Sequence, residues 1–136
     1  MAKTNSDYGD FAQLLFHARL KQNGFEPLFV TSGSLPFDVG AWNKETEKFY
    51  RVQIKSTQCR HSKNLWRVCA RRTDGTCYTK QDADILAIYI AWDDTFFLMP
   101  VDEVLKHTHL LVPSKDSIVK PHRFDKYREN WKIFKQ

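Results

Sequence analysis

The sequence has few cysteines and no long apolar run, the features typical of small disulfide-rich proteins and of membrane proteins. Its three cysteines are odd in number and show no C-x-x-C spacing, so the chain indicates neither a disulfide framework nor a zinc ribbon. No apolar run approaches the roughly 18 residues of a membrane span. The N-terminal residues also lack the apolar stretch of a signal peptide. These absences predict a protein with no membrane partner and a cytoplasmic location.

What the sequence does contain is enough for one folded domain. Its 136 residues are 42% hydrophobic and 14% aromatic, unlike a disordered chain. A chain of this length buries enough surface to fold without a covalent staple. No repeat, low-complexity tract or internal linker divides it. We therefore predict a single domain over residues 1–136.

Apolar periodicity and turn residues predict the order of the elements. Apolar residues at the spacing of one helix face predict an amphipathic helix over residues 8–23, with Asp7 as its N-cap and Gly24 at its end. The nearly all-apolar run 85–90 predicts a central strand covered on both faces. Further predicted elements are strands over 25–31 and 95–99, a basic hairpin within 64–79, a short helix from Asp102 to residue 106, a short strand near Leu110 and a final helix over 125–134.

Residues 36–57 carry the pattern of a β-hairpin, with strand-forming runs on both sides of a polar segment. The apolar residues pair on one face if Val39 lies opposite Val52. Because side chains alternate along a strand, the other face then carries Asp38 opposite Gln53, with Lys55 two residues further on. This register gathers a carboxylate, an amide oxygen and an ammonium in one small patch.

Such a patch suits metal-assisted phosphate chemistry. A hard cation such as Mg²⁺ takes oxygen ligands, which Asp38 and the Gln53 amide would supply together with water and substrate phosphate. Lys55 would then orient the attacking water or offset charge on the phosphate. The same three residue types also occur together on solvated sheet faces. The surrounding sequence must therefore decide between a catalytic site and a solvated sheet face.

The distribution of charge favours a polyanionic partner. The net charge is +5, and residues 55–80 hold seven basic residues against one acid. A positive surface next to the patch is the electrostatic footprint of a protein that binds a nucleic-acid backbone. A solvated loop face is the plainer alternative. Besides Lys55, the candidate DNA-binding residues are Arg60, Lys63, Arg67, Arg71, Arg72 and Lys80.

The hairpin resembles the signature of the PD-(D/E)xK nuclease superfamily, which is an acid in one strand followed by acid-x-Lys in the next. The segment PFD at 36–38 stands for the first half, with one residue inserted between proline and acid, and QIK at 53–55 stands for the second. Gln53 replaces the usual second acid. Because a neutral amide is a poorer ligand than a carboxylate, this departure weakens the predicted metal affinity.

Motifs along nearly the whole chain resemble those of the homing endonucleases of group I introns within that superfamily. They are GD at 9–10, GF at 24–25, VQIKST at 52–57, DADILAIYI at 82–90, FLMP at 97–100 and NW at 130–131. The resemblance implies an α/β, restriction-endonuclease-like fold, with a mixed central β-sheet flanked by helices. It also implies Mg²⁺ as cofactor, double-stranded DNA as substrate and a homo-oligomer.

The same resemblance adds two residues to the site. The backbone carbonyl of Ile54 would join Asp38 and Gln53 as a metal ligand, and Asp10 would stand for an acid that the family places near the start of the first helix. A carboxylate in a first helical turn is also favourable without any metal, because it faces free backbone N–H groups. Both explanations of Asp10 stay open at this point.

Cutting both strands of a duplex needs two sites in opposite orientations, so we expect a dimer or tetramer. Two other functions remain compatible with the sequence. One is a junction-resolving or repair nuclease on the same fold, which recognises DNA shape. The other is a DNA-binding module that has lost catalysis, an alternative that Gln53 keeps open.

Overall fold

The computed structural model of the chain describes residues 4–72, 74–104 and 107–136. Its α-helix, α1, spans Asn5–Gln22 and begins with a capping box, in which Thr4 and Asp7 each accept a hydrogen bond from the other's backbone N–H. The prediction of Asp7 as the N-cap is therefore wrong, since Thr4 takes that position. Gly24 follows the helix with φ of +91°, a conformation that glycine adopts without strain, so the predicted helix end is confirmed.

Two sheets make up the strand content of the described residues. The central sheet has five strands in the order β1-β2-β3-β6-β7, and it is mixed because β3 and β6 run parallel while its other pairs are antiparallel. The smaller sheet has the order β4-β5-β8. The strands are β1 Glu26–Phe29, β2 Val39–Asn43, β3 Lys48–Thr57, β4 Cys59–Arg60, β5 Leu65–Cys69, β6 Ile85–Ile90, β7 Thr95–Pro100 and β8 His109–Pro113.

The central sheet is covered on both faces, which confirms the predicted fold class. Helix α1 packs Phe16 and Leu20 against one face, where β6 presents Ala87 and Tyr89. The second sheet covers the other face of β6 and packs Trp66 into that core. The β6 side chains on both faces of the sheet are therefore buried, as predicted for a central strand. The flanking layers thus consist of α1 on one side and the smaller sheet on the other.

The predicted final helix over 125–134 is wrong. The chain instead forms two 3-10 helices, Asp125–Tyr127 and Trp131–Lys135, separated at Glu129, whose φ of +49° cannot continue a right-handed helix. Tyr127 consequently joins the core under the second sheet, whereas Trp131 joins the core under α1. One helix face could not serve both cores.

The predicted basic hairpin within 64–79 is also wrong. Strand β5 pairs with β4 and β8. Among the described residues that follow it, an isolated bridge joins Arg71 to Cys77, and the Arg72 N–H donates to the Thr76 carbonyl at 2.8 Å, but no named strand forms there. The short strand predicted near Leu110 is confirmed as β8. The helix predicted from Asp102 is a 3-10 helix, Val101–Val104, and residues 105–106 lie outside the described residues, as does Thr73 of the predicted hairpin. In the described ranges, no helix combines the length and apolar character that a membrane crossing requires.

Candidate active site

The β2–β3 hairpin has the register predicted from its alternation, with Val39 opposite Val52. Asp38 lies just before β2, and its backbone N–H continues the pairing by donating to the Val52 carbonyl at 2.9 Å. Because Val52 and Ile54 point into the core under α1, Gln53 and Lys55 point to the opposite face of β3. The same alternation puts Asp38 on the face of Gln53 and Lys55. The three predicted site residues therefore share one side of the sheet.

One oxygen of the Asp38 carboxylate has a structural role. Its Oδ2 accepts a hydrogen bond from the Ile54 N–H at 2.9 Å, a main-chain donor just beyond the last paired position of β2. The other oxygen accepts no hydrogen bond from any residue that the structure describes. Asp38 thus stabilises the end of the hairpin through Oδ2, and its other carboxylate oxygen is free to bind a ligand.

Lys55 is half-buried and held in place from two sides. Its Nζ donates to the Arg71 carbonyl at 3.0 Å and lies 5.3 Å from the centroid of the Tyr78 ring. Tyr78 is itself buried beneath the second sheet, so it forms a fixed aromatic surface under the ammonium. Sequence reasoning missed Tyr78, because a single tyrosine in a loop of mixed polarity carries no local pattern.

Desolvation dominates the electrostatics of the site. Burial raises the pKa of Asp38, although the Ile54 N–H and the Lys55 charge act in the opposite direction. Burial likewise lowers the pKa of Lys55, although the Asp38 charge acts in the opposite direction. Burial and the neighbouring Asp38 charge raise the pKa of Tyr78 to about 12, so its hydroxyl stays protonated at neutral pH. Each group is therefore displaced toward its neutral form, as expected when water is excluded.

The donor set fits a hard cation only if water and substrate complete the coordination. Gln53 is half-buried, and its amide makes no hydrogen bond with a described residue, so its oxygen is open to a ligand. Among residues 4–72, 74–104 and 107–136, no three His, Cys, Asp or Glu side chains gather as a metal site. One carboxylate plus an amide suits Mg²⁺, which keeps several waters and binds phosphate oxygens, better than a fully protein-made site.

Asp10 lies apart from these contacts. It is exposed on α1, and no hydrogen bond or ion pair links it to another residue in the described part of the chain. Since α1 begins at Asn5, earlier than predicted, Asp10 falls in its second turn, and Asp7 is the acid of the first turn. The helix-start explanation of Asp10 is therefore wrong, while its metal-site role remains a prediction.

A cavity of about 650 Å³ opens beside Lys55, between the end of β3, the start of α1 and the second sheet. Arg67 and His109 bring basic groups to its wall from β5 and β8. Partial burial and the positive charges of Arg67 and Arg71 lower the pKa of His109. The wall also includes Thr57, Cys59 and Cys69. Of the three candidate site residues, Lys55 lines this cavity, whereas Asp38 and Gln53 are not part of its wall. The space beside Lys55 is large enough for a phosphodiester segment.

The structure divides the predicted DNA-binding residues into two groups. Lys63 and Arg67 are exposed, and neither pairs with a carboxylate among the described residues. The others have intramolecular contacts: Arg60 stacks on Trp66 at 4.0 Å, Arg71 lies 3.5 Å from His109, Arg72 pairs with Asp82 and Lys80 pairs with Asp102. Lys63 and Arg67 are thus the members of the set whose side chains form no hydrogen bond or ion pair with another described residue.

Comparisons with known proteins agree with a nuclease-like arrangement of these residues. The model of the PD-(D/E)XK endonuclease family matches residues 3–134. Among solved structures, the chain is similar to a bacterial homing endonuclease, I-Ssp6803I, with a TM-score of 0.79 and 23% sequence identity over 93% of this chain and 90% of that chain. At this identity the likeness establishes the fold alone. None of the curated proteins matches the chain.

Proposed function

The chain belongs to the PD-(D/E)XK endonuclease family, and from this premise we propose that it is a metal-dependent, site-specific endonuclease on double-stranded DNA, acting as a homing endonuclease. The observation that carries the proposal is the shared sheet face of Asp38, Gln53 and Lys55, of which Lys55 lines a cavity that Arg67 also lines. A nuclease needs these elements together: a ligand for a cation, a positive charge at the scissile phosphate and room for the backbone.

Each residue has a distinct part in this proposal. The free oxygen of Asp38, the Gln53 amide oxygen and the backbone carbonyl of Ile54 would hold Mg²⁺, which supplies Lewis acidity at the phosphate when bound. The Ile54 N–H keeps the Asp38 carboxylate in position. Lys55, fixed by the Arg71 carbonyl, orients the attacking water or offsets charge on the phosphate. Arg67 holds the neighbouring backbone.

A further part of the proposal is the assembly. One chain presents one such patch, so cutting both strands requires at least two chains related by a two-fold axis. The proposed function therefore includes a homo-oligomer, a dimer or tetramer. We also propose a cytoplasmic location, as predicted from the sequence.

Cleavage of long genomic DNA by the purified protein, with and without Mg²⁺, tests the proposal, with mapping of the ends that it produces. We expect discrete cuts that require Mg²⁺ and disappear in Asp38→Asn and Lys55→Ala, while DNA binding persists. Asn retains an oxygen for the Ile54 N–H, so Asp38→Asn removes the charge without removing the structural hydrogen bond. Asp10→Asn tests the open prediction for Asp10: loss of cleavage would assign it to the metal site, and unchanged cleavage would exclude it.

Other outcomes would favour other functions. The neutral Gln53 and the absence of a three-ligand cluster among the described residues favour a DNA-binding module as the second candidate. Binding without any cleavage would support that module. Cleavage of a four-way junction in preference to linear duplex would support a junction-resolving or repair nuclease. Full activity in Asp38→Asn or Lys55→Ala would overturn the assignment of the site.

A further inference from the structure

Two consecutive apolar side chains stand in the open on the loop that follows β8. Ile118 is 79% exposed and Val119 is 59% exposed, within a loop that we define as residues 114–121. Isolated apolar residues on a surface need no explanation. An adjacent pair on one loop, here its tip, is different, because it places two apolar side chains together in solvent.

Hydrogen bonds hold this loop in its outward position. The Ser114 N–H donates to the Asn64 carbonyl at 2.8 Å, and the Ile118 N–H donates to the Asn64 side-chain oxygen at 3.2 Å. Inside the loop, the buried Ser117 hydroxyl accepts from the Val119 N–H at 3.2 Å. Both ends of the tip are therefore tied to the β4–β5 turn or to each other.

Basic residues outnumber acidic ones around the tip, and Asp116 is the one acid of the loop 114–121. Lys115 and Lys120 flank the tip within the loop, Lys63 lies on the adjoining β4–β5 turn, and no carboxylate pairs with these three lysines in the ranges that the structure describes. The charged residues that line a cavity of about 400 Å³ beneath the loop are Lys115, Lys120, Arg128 and one acid, Asp125. One guanidinium nitrogen of Arg128, Nη1, is buried without a hydrogen-bond partner there. The loop thus combines an apolar tip with a surrounding excess of positive charge.

We propose that the loop 114–121 is a second DNA-contacting element, in which Ile118 and Val119 enter the minor groove against a base step and Lys115 and Lys120 hold the flanking phosphates. Apolar side chains inserted in this way partly unstack a base step and bend the duplex. Lysines without carboxylate partners can exchange their counterions for phosphates at both sides of the insertion. This inference rests on the proposed function, since it takes double-stranded DNA as the substrate.

The position of the loop suits a contact away from the scissile phosphate. Strand β5 starts beside Asn64, next to the loop, and ends at Cys69, in the wall of the active-site cavity. Five residues of strand span about 13 Å, which is about four base pairs of duplex. The loop would therefore extend the length of DNA that one chain contacts and would favour targets that bend easily at that distance.

A second copy of the chain is the competing occupant of the tip. A two-fold contact through the tip would bring Lys115 and Lys120 of both copies together, four positive charges against the two carboxylates of Asp116, and an excess of like charge across an interface opposes association. The excess of positive charge around the tip therefore favours DNA over a subunit contact.

The test uses a short duplex that carries the fluorescent base analogue 2-aminopurine at successive TA steps. We expect the full-length protein to raise the fluorescence at one or more steps by unstacking them, and Ile118→Ser to lose that rise and bind about tenfold more weakly. Leu14→Ser is the matched control, because Leu14 is an exposed apolar residue, 66%, on α1. Lys115→Gln should lower the slope of log affinity against log salt by about 1.

The outcomes separate this inference from the proposed function. If the wild-type protein binds and cuts DNA but gives no fluorescence rise, or Ile118→Ser keeps both the rise and the affinity, the loop inference is wrong and the nuclease proposal stands. If Ile118→Ser changes the sedimentation coefficient instead, the tip is a subunit contact and the inference is also wrong. A wild-type protein that neither binds nor cuts DNA would overturn both.

Discussion

At the scale of single residues, the environment of Lys55 determines how the candidate site responds to pH. The Tyr78 ring face stabilises the ammonium form, so Tyr78→Leu should lower the pKa of Lys55 further. We expect the alkaline limb of the cleavage rate profile to move to lower pH. Tyr78→Phe keeps the ring and should keep the profile. A Tyr78→Leu protein with the wild-type pH profile would show that Tyr78 only fills the core.

Another residue-scale prediction concerns His17, which is 8% exposed on α1 and packs against Phe29 with the ring centroids 4.4 Å apart. Both ring nitrogens are buried without a hydrogen-bond partner in the described chain, and burial lowers the pKa of His17 below its ordinary value of 6.5. As the pH falls below that value, the unfolded chain binds the proton first, so the free energy of unfolding decreases.

Substitution of His17 isolates this contribution. We expect His17→Leu to reduce the loss of stability on acidification, measured by urea denaturation at pH about 7 and about 5. His61→Leu, at an exposed position, is the control for the general effect of a histidine-to-leucine substitution. An equal loss of stability in wild-type and His17→Leu proteins would contradict the prediction.

At the scale of elements, local pattern predicts what local contacts determine. The β2–β3 hairpin and its register followed from alternation between neighbouring strands, and the all-apolar β6 followed from its two covered faces. Pairing between distant segments left no such pattern: Cys69 of β5 lies opposite His109 of β8, so β5 took that partner instead of the segment that follows it. The final segment was predicted as one helix because its aromatic spacing is helical, although the left-handed Glu129 sends Tyr127 and Trp131 into different cores.

The same distinction applies to the candidate site. Asp38, Gln53 and Lys55 belong to one hairpin, so their shared face was predictable from the sequence. Tyr78 and the Arg71 carbonyl reach Lys55 from a segment without regular structure, and only the folded chain brings them there. Residues of one local element can thus be grouped from sequence, whereas the groups that position them from elsewhere cannot.

A prediction for the hairpin concerns Gly40 in β2. A Cβ atom at Gly40 would lie 2.4 Å from the Phe49 ring and 3.1 Å from the Leu28 Cβ, so the ring covers the glycine as a side chain would. We expect Gly40→Ala to lower the free energy of unfolding by about 1–2 kcal/mol. In the Phe49→Ala background the same change should cost less than half as much, because the contact is gone. Additive effects in a double-mutant cycle of urea denaturation would contradict this arrangement.

At the scale of the whole molecule, ion pairs divide the basic residues into those that support the fold and those that remain for a partner. Lys80 pairs with Asp102, whereas Lys63 has no described carboxylate partner. We expect Lys63→Gln to lower the slope of log DNA affinity against log salt by about 1, and Lys80→Gln to lower it less. Fluorescence anisotropy titrations over a range of salt concentrations measure both slopes. Equal slopes for the two variants would show that the ion pair opens when DNA binds.

The proposed assembly makes a prediction about mixtures of active and inactive chains. If each chain cuts one strand, an oligomer of one wild-type and one Asp38→Asn chain can nick a duplex but cannot sever it. In an equal, fully exchanged mixture of dimers, about one quarter contain two active chains, so linear plasmid should form at about a quarter of the wild-type rate and nicked plasmid should accumulate. Mixing the wild-type protein with buffer instead of the variant provides the control for dilution. A mixture that forms half the linear product and no excess of nicked plasmid would mean that a single chain cuts both strands, and it would remove the reason for expecting an oligomer.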